Sequence, residues 1–206
     1  IVGADQATTI IDASAALVCG YLWTQDTYAR ISRHYSVEGQ GAFWKTVVIP
    51  NIRSLITTFL VSLGGGLSDR LFSLYLCWTR EENGEFILAF ADLSACSQRS
   101  HVEAMESLIK LDKKASAAGR GTLTGIYRIM PLAKNVCRIT FVSQGMLGGQ
   151  IPSAVMNMRI KSTLGIVKRL RDKYERKDKE IDKEVRDEYS RPSPVSALTA
   201  EQREIY

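Results

Sequence analysis

The chain has 206 residues, of which 45% are hydrophobic and 24% charged, and this composition excludes collagen-like, low-complexity and wholly disordered chains. Its formal net charge of +5 is only mildly basic, so the charge gives no argument for a nucleic-acid partner. No run of about 18 apolar residues occurs, so the sequence predicts no membrane-spanning helix. We expect a soluble globular domain, long enough to bury a core without disulfides or a metal.

The cysteines and histidines give little sign of a metal site. No two cysteines form a Cys-x-x-Cys pair, and two histidines, His34 and His101, are too few for a typical zinc site. We therefore expect no metal and no cofactor, both histidines at the surface, and reduced cysteines buried as small hydrophobic residues in a cytoplasmic protein. The four cysteines are Cys19, Cys77, Cys96 and Cys137.

The first part of the chain predicts a helix followed by strands. Residues 12–24 carry an apolar stripe at helical spacing, behind residues that can cap a helix. Residues 25–40 are polar and ambiguous, and they could hold a second short helix. Residues 43–49 predict a strand, and the β-branched residues within 54–63 favour a second strand over a helix.

Two hairpins and two helices are predicted in the rest of the chain. Residues 71–78 and 85–91 flank Asn83-Gly84, a pair that tolerates the positive φ of a tight turn. Both segments are apolar at nearly every position, so both faces of the sheet must be covered. Residues 100–118 predict a helix with a serine–glutamate capping box at its start.

The second hairpin and the last helix follow directly. Residues 122–130 and 136–144 predict two strands joined by a loop over Pro131–Asn135. Pro152 stands at the first position of a long helix whose apolar residues recur at spacings of three and four.

The C-terminal part of the chain changes in character. Residues 168–189 are almost wholly charged with mixed sign, which is typical of a solvated helix. We expect a domain over residues 1–172, a charged helical extension over 173–190, and a linker with the start of a further segment over 191–206. Because the chain begins with isoleucine and ends within a predicted helix, we expect it to be part of a longer protein.

The sequence shows no catalytic motif. It has no nucleophile elbow, no zinc-protease pair, no dinucleotide fingerprint and no P-loop, since Gly64–Gly66 is not followed by lysine and serine or threonine. The strand aromatics are not interleaved with lysine or arginine, so no base-stacking platform is indicated. We therefore predict that the chain is not an enzyme and does not bind nucleic acid.

Two segments carry a resemblance to a known family. Residues 125–157 contain a strand, Pro-Leu, a turn, a Cys-Arg-x-Thr strand, Leu-Gly-Gly-x-Ile-Pro and a helix bearing asparagine. This order resembles START domains, the steroidogenic acute regulatory protein-related lipid-transfer family, and residues 67–92 resemble the family's central hairpin. The resemblance covers about residues 8–172. In three respects the chain departs from the family. Arg70 is followed by Leu71 rather than by aspartate, the segment 94–119 is longer than the link expected there, and no strand pair or helix is evident before residue 12.

The resemblance implies an α+β helix-grip fold, in which a curved antiparallel sheet wraps around a long C-terminal helix. It implies a hydrophobic tunnel that holds a lipid such as a sterol or phospholipid. The residues alone leave open whether sheet and helix close into a dry core or stand apart around a pocket. We expect the lipid-binding residues on the last strand and helix to be Ile139, Phe141, Val155, Met156, Ile160, Leu164 and Val167.

Two arginines on predicted strands are candidates for the lipid headgroup. Arg128 and Arg138 are the charged residues that we expect to point inward, and a buried arginine needs an acceptor or a carboxylate. The resulting prediction is non-covalent lipid binding, with transfer or sensing, by a monomeric cytoplasmic domain that contacts membranes transiently. The alternatives are an interaction or regulatory module of a larger protein, or an enzyme on the same fold with inward-facing acid–base groups.

Overall fold

The computed structural model describes residues 3–24, 27–36, 43–48, 53–64, 66–149, 151 and 153–175. The chain divides into two units, Ile1–Tyr174 and Glu175–Tyr206. The predicted linker and nearly all of the predicted charged extension lie outside the described residues, so the domain boundaries stay predictions.

The described helices and strands follow one another in the order of an α+β domain. The strands are β1 Gly3–Ile11, β2 Trp44–Val48, β3 Ser54–Val61, β4 Arg70–Arg80, β5 Phe86–Asp92, β6 Gly119–Ala133 and β7 Val136–Met146. The helices are α1 Ala15–Trp23, α2 Tyr28–Ser36, α3 Arg99–Leu111, α4 Lys113–Ala117 and α5 Ser153–Tyr174. A short 3₁₀ turn, Leu93–Ala95, links β5 to α3.

The seven strands form one curved sheet in the order β1-β7-β6-β5-β4-β3-β2. Neighbouring strands are antiparallel. Because β5 is shorter than the strands beside it, the first residues of β6 pair in parallel with β4, from Arg70 opposite Gly119 to Phe72 opposite Gly121. The predicted α+β helix-grip fold with an antiparallel sheet is confirmed.

Strand β1 was not expected, since the sequence showed no evident strand before residue 12. It pairs with β7 along its whole length, from Gly3 opposite Gly145 to Ile11 opposite Cys137. The strand lies at the edge of the sheet, and Ile11 is fully buried while Ile10 is 53% exposed. The alternation of buried and exposed residues along β1 therefore leaves only a short apolar pattern in the sequence.

The predicted helix over 100–118 is two helices in the structure. Asp112 separates them, and its carboxylate accepts hydrogen bonds from the backbone N–H groups of Lys114 and Ala115, each at 2.9 Å. This is the N-cap geometry that starts a new helix. The predicted capping box is wrong, because α3 begins one residue before Ser100 and its N-cap is Gln98.

Side-chain alternation gives the sheet two different faces. We call the face that carries Ile139 and Phe141 the inner face; α1 and α5 pack on it. On the outer face, α3 and α4 cover β3 and β4 through a separate cluster that includes Ile56, Leu71 and Met105. Both faces of β4 are therefore covered, as its apolar sequence requires. Among the described helices, none has the length and apolarity needed to cross a bilayer.

Candidate functional site

The candidate site is the inner face of the sheet with the helices that lie on it. Strand register places Phe141 between Tyr127 and Ala7, and Ile139 between Ile129 and Thr9. Helix α1 is held by its N-cap, where the Ser14 hydroxyl oxygen accepts from the N–H group of Leu17 at 3.3 Å. The inner-face cluster includes Val18, Leu22, Leu88, Ile129, Val167 and Leu170.

Aromatic rings form the middle of the inner face. The rings of Tyr127 and Phe141 stack with centroids 4.2 Å apart and planes 9° apart. Phe90 lies within about 6 Å of both, with centroid distances of 5.9 and 6.2 Å. A Cβ at Gly125 would lie 2.5 Å from the Phe90 ring, so the missing side chain at Gly125 makes room for this group.

A second aromatic row lies towards the β2 edge. Trp44, Phe59 and Phe72 stack in sequence, with centroids 5.1 and 5.8 Å apart. The ring of His34 on α2 meets Trp44 edge-on at 4.7 Å, and this histidine is buried rather than at the surface as expected. The indole N–H of Trp44 is buried, and no hydrogen-bond partner for it is found among the described residues.

The hydroxyl group of Tyr127 is the clearest polar feature of the inner face. Burial raises its pKa above the ordinary value, while Arg30 and Arg169 oppose that shift. The side chain nevertheless keeps some accessible surface. Within the described part of the chain, no hydrogen bond to this hydroxyl is found. It is a donor and acceptor in a desolvated position.

The structure brings some of the predicted lining residues together. Ile139, Phe141 and Val167 are buried in the inner-face cluster, and Leu164 packs against it. Val155 instead packs against a smaller cluster at the start of α5. The side chains of Met156 and Ile160 lie outside the described residues. The lipid-binding role of all seven residues stays a prediction.

The smaller cluster joins two loops at one end of the sheet, and we call this the loop end. Its buried members are Leu63, Phe72, Leu147 and Ile151, with Leu67 and Val155 packed against them. The β3–β4 loop contributes the first part and the β7–α5 connection the second. Both segments contain glycines in the left-handed region, namely Gly64, Gly66, Gly148 and Gly149.

Arg70 ties these two segments together. Its Nε atom donates to the carbonyl oxygen of Leu147 at 2.6 Å, and its guanidinium also donates to the carbonyl of Gly148 at 3.5 Å. On the other side it donates to the carbonyl and hydroxyl oxygens of Ser68, both at 2.7 Å. Sequence reasoning missed this role, and Arg70 is only 7% exposed.

Arg128 and Arg138 do not point inward, which corrects the expectation. Both lie on the outer face, because they alternate with Ile129 and Ile139 along their strands. The Arg128 side chain is 55% exposed and donates to the buried carboxylate of Glu85 at 2.9 and 3.0 Å. These hydrogen bonds raise the pKa of Arg128. Their predicted headgroup role stays a prediction.

An open depression of about 420 Å³ lies at the opposite end of the sheet from Arg70. It is bordered by the start of α1 and by the β4–β5 and β6–β7 turns, including Ser14, Gly84, Leu132 and Lys134. None of the predicted lining residues borders it. In the described residues, no three histidine, cysteine or acidic side chains are grouped closely enough to hold a metal ion.

Comparison with known proteins gives a clear result for the fold only. No protein-family model matches the sequence, and no curated protein matches it. The lipid transfer and protein localization domain of human StarD13 (DLC2) superposes with a TM-score of 0.58 at 15% identity, over 84% of this chain and 77% of that chain.

Two further solved structures give the same picture. A STAR-related lipid transfer protein from Xanthomonas axonopodis superposes with a TM-score of 0.60 at 14% identity, over 84% of this chain and 86% of that chain. Human STARD10 gives 0.55 at 12% identity, and there the match covers 83% of this chain but only 62% of that chain. This chain therefore shares the fold of these StAR-related lipid transfer structures, which is the fold that the resemblance in its sequence implies.

Proposed function

We propose that this chain binds a lipid non-covalently between the inner face of the sheet and helix α5. Two of the structures that share its fold are lipid transfer domains by name. The proposed activity is binding by a single copy of the domain, without catalysis. The observation that carries the proposal is Tyr127, whose hydroxyl is desolvated enough to raise its pKa, yet unbonded among the described residues and partly accessible.

Partly accessible side chains in an apolar cluster support the proposal, because a guest can contact the surface that protein atoms leave uncovered. Phe59, Leu123 and Leu164 share this property with Tyr127 on or against the inner face. An empty apolar space costs about 24 cal/mol per Å³ of cavity, so an apolar guest that fills it stabilises the fold. Tyr127 would give such a guest one hydrogen bond.

The energetics of exchange with a membrane support reversible binding. Sequestering one methylene group from water is worth about 0.8 kcal/mol, both in a protein interior and in a bilayer. Moving an acyl or sterol chain between the two therefore changes the free energy little. A domain with this interior can load and unload lipid without an energy source.

The loop end is the proposed route into the interior. Its cluster is small, and it packs the β3–β4 loop against the β7–α5 connection and the start of α5. Parting these few side chains exposes the inner face without breaking the strand pairing of the sheet. Arg70 holds the backbone on both sides of this route.

The test places a large side chain in the proposed space from the inner face of β6. As a control, the same side chain is placed on the outer face of that strand. Leu123 packs against both the inner-face cluster and the loop-end cluster, while its neighbour Thr124 is exposed on the outer face. Leu123→Trp should leave the melting temperature nearly unchanged and abolish lipid recovery by solvent extraction and mass spectrometry. Thr124→Trp is the matched control and should retain lipid.

The same pair of variants can refute the proposal. If the interior is solidly packed, Leu123→Trp overpacks it and lowers stability by about 1–3 kcal/mol. That result, together with a wild-type protein that yields no lipid and takes up none from labelled vesicles, would exclude a lipid site here.

A further inference from the structure

The corner between α3 and α4 combines an exposed leucine with three exposed lysines. Leu111 is 83% exposed at the last position of α3. Lys110, Lys113 and Lys114 flank it, and all three are exposed. We call these four residues the basic corner. They lie in the segment 94–119, which is longer than the corresponding link in the family that the sequence resembles.

The acidic side chains beside the basic corner are bound to other groups. Glu106, one turn before Lys110, is bound to Arg120 with an N–O distance of 3.0 Å. The carboxylate of Asp112 accepts two backbone N–H groups at the start of α4. Among the described residues, no ion pair to any of the three lysines is found. With three lysines and one aspartate, the segment 110–114 carries a net charge of +2 that can act on a partner.

The side chain of Leu111 is not used to pack α3 on the sheet. Helix α3 buries Met105 and Ile109 against the outer face of the sheet, and α4 buries Ala115 there. At 100° per residue, Leu111 lies about 200° around the helix from Ile109, on the opposite side. A lone exposed leucine is common, but an apolar side chain beside lysines combines the two contributions to binding an anionic lipid surface, which are apolar burial and charge attraction.

We infer that the basic corner docks the domain on an anionic lipid bilayer, with the lysines at the headgroups and Leu111 between them. Charge complementarity and the apolar residue at its centre favour a bilayer over a polynucleotide, which offers no apolar layer. This inference rests on the proposed function for its purpose, since a lipid-binding domain has to reach a membrane. Its test does not require lipid uptake.

The basic corner lies near the loop end of the sheet. Helix α4 rises about 7.5 Å over its five residues and leads directly to Gly119. The N–H group of Gly119 donates to the carbonyl oxygen of Asp69 at 3.1 Å, next to Arg70. Docking through the corner would therefore hold the proposed route into the interior close to the bilayer.

The experiment is vesicle sedimentation with the full chain, using phosphatidylcholine vesicles with and without phosphatidylserine. The wild type should bind the anionic vesicles and lose that binding at high salt. The triple variant Lys110→Gln, Lys113→Gln, Lys114→Gln should bind about 100-fold more weakly, since each lysine contributes roughly a factor of five. The charge-matched control is Lys45→Gln, Lys134→Gln, Lys168→Gln, which should bind as the wild type does.

A second variant tests the apolar contact by itself. Leu111→Ser should weaken binding to anionic vesicles by about 5- to 10-fold without changing its salt dependence. Leu132→Ser, at another exposed leucine, is the control and should have no effect. Because both positions are exposed, neither change should alter the melting temperature.

Three results would overturn the inference. These are equal losses in the two triple variants, equal binding to neutral and anionic vesicles, or binding to double-stranded DNA that depends on the same lysines and is tighter than binding to vesicles. Lipid recovery from the triple variant separates the two proposals, because it should be unchanged even if docking is lost.

Discussion

The two faces of the sheet are covered by different helices. Helices α1 and α5 pack on the inner face, while α3 and α4 pack on the part of the outer face that β3 and β4 form. Each cluster contains fully buried side chains, such as Ile139 on the inner face and Ile56 on the outer face. Each also contains partly buried side chains, such as Tyr127 on the inner face and Tyr75 on the outer face.

The contrast between the two clusters lies in their side chains and in the origin of their helices. The outer cluster is mostly aliphatic and meets helices joined to β5 by one short turn. The inner cluster contains stacked rings and meets helices from distant parts of the chain. Flexible aliphatic side chains fill irregular gaps more readily than rigid rings, so this difference supports placing the proposed lipid site on the inner face.

The largest effect is expected from creating a cavity in the outer-face cluster. Met105→Ala should lower the free energy of unfolding by about 2–5 kcal/mol, because the cavity has no compensating occupant. Leu164→Ala, against the inner face, should cost about 1 kcal/mol, since Leu164 is only partly buried. Urea unfolding curves measure both values. Equal losses would remove the distinction between the faces.

The next effect concerns the junction at the loop end. Arg70→Met should cost about 2–3 kcal/mol, because it leaves the buried carbonyl oxygen of Leu147 and the part-buried carbonyl oxygen of Ser68 without donors. Arg120→Met, which breaks an exposed ion pair with Glu106, should cost less than about 1 kcal/mol. Thermal unfolding compares the two. A larger loss at Arg120 would contradict the structural role assigned to Arg70.

A smaller effect should appear at alkaline pH. Burial raises the pKa of Tyr127, so the folded state holds this proton more tightly than the unfolded state. The resulting stability is complete below about pH 10 and is lost as pH rises above it, by about 1 kcal/mol at pH 11. Tyr127→Phe should therefore lose less stability than the wild type between pH 9 and 11. Tyr75→Phe, on the outer face, is the control.

The smallest perturbation of the protein is made by thiol labelling, which measures directly how far each cysteine is shielded in the native state. Burial raises the pKa of Cys19 and Cys137 to about 11, which suppresses the reactive thiolate. At pH 8 both should react more than about 100-fold more slowly in the native protein than in urea. Cys77, partly accessible on the outer face, should be labelled before them. Mass spectrometry of labelled peptides identifies the order.

Much of the fold could be predicted from local patterns. The segments 71–78 and 85–91 became β4 and β5, and 122–130 and 136–144 lie within β6 and β7. Their signals were strong because turn residues and apolar runs coincide. The loop predicted over Pro131–Asn135 is too long, since β6 continues through an irregularity at Pro131 to Ala133. The proline in this segment does not end the strand.

The parts that could not be predicted depend on contacts distant in sequence. Strand β1 is defined by its pairing with β7, some 130 residues away. The orientation of Arg128 is set by register, because a shift of one residue moves every side chain to the other face. Its partner Glu85 comes just before the neighbouring strand β5, 43 residues earlier in the sequence, and no local pattern connects the two residues. Asp112 is a residue type that caps helices, but the helical periodicity on either side of it predicts one continuous helix.

The bonds of Arg70 have a consequence for how this domain can vary. Four of the five oxygens that its guanidinium holds belong to the main chain. A main-chain oxygen is present whatever side chain its residue carries. Substitutions at Leu147 or Asp69 therefore leave these bonds possible, so related sequences can exchange the side chains around the loop end while the path of the backbone there is kept.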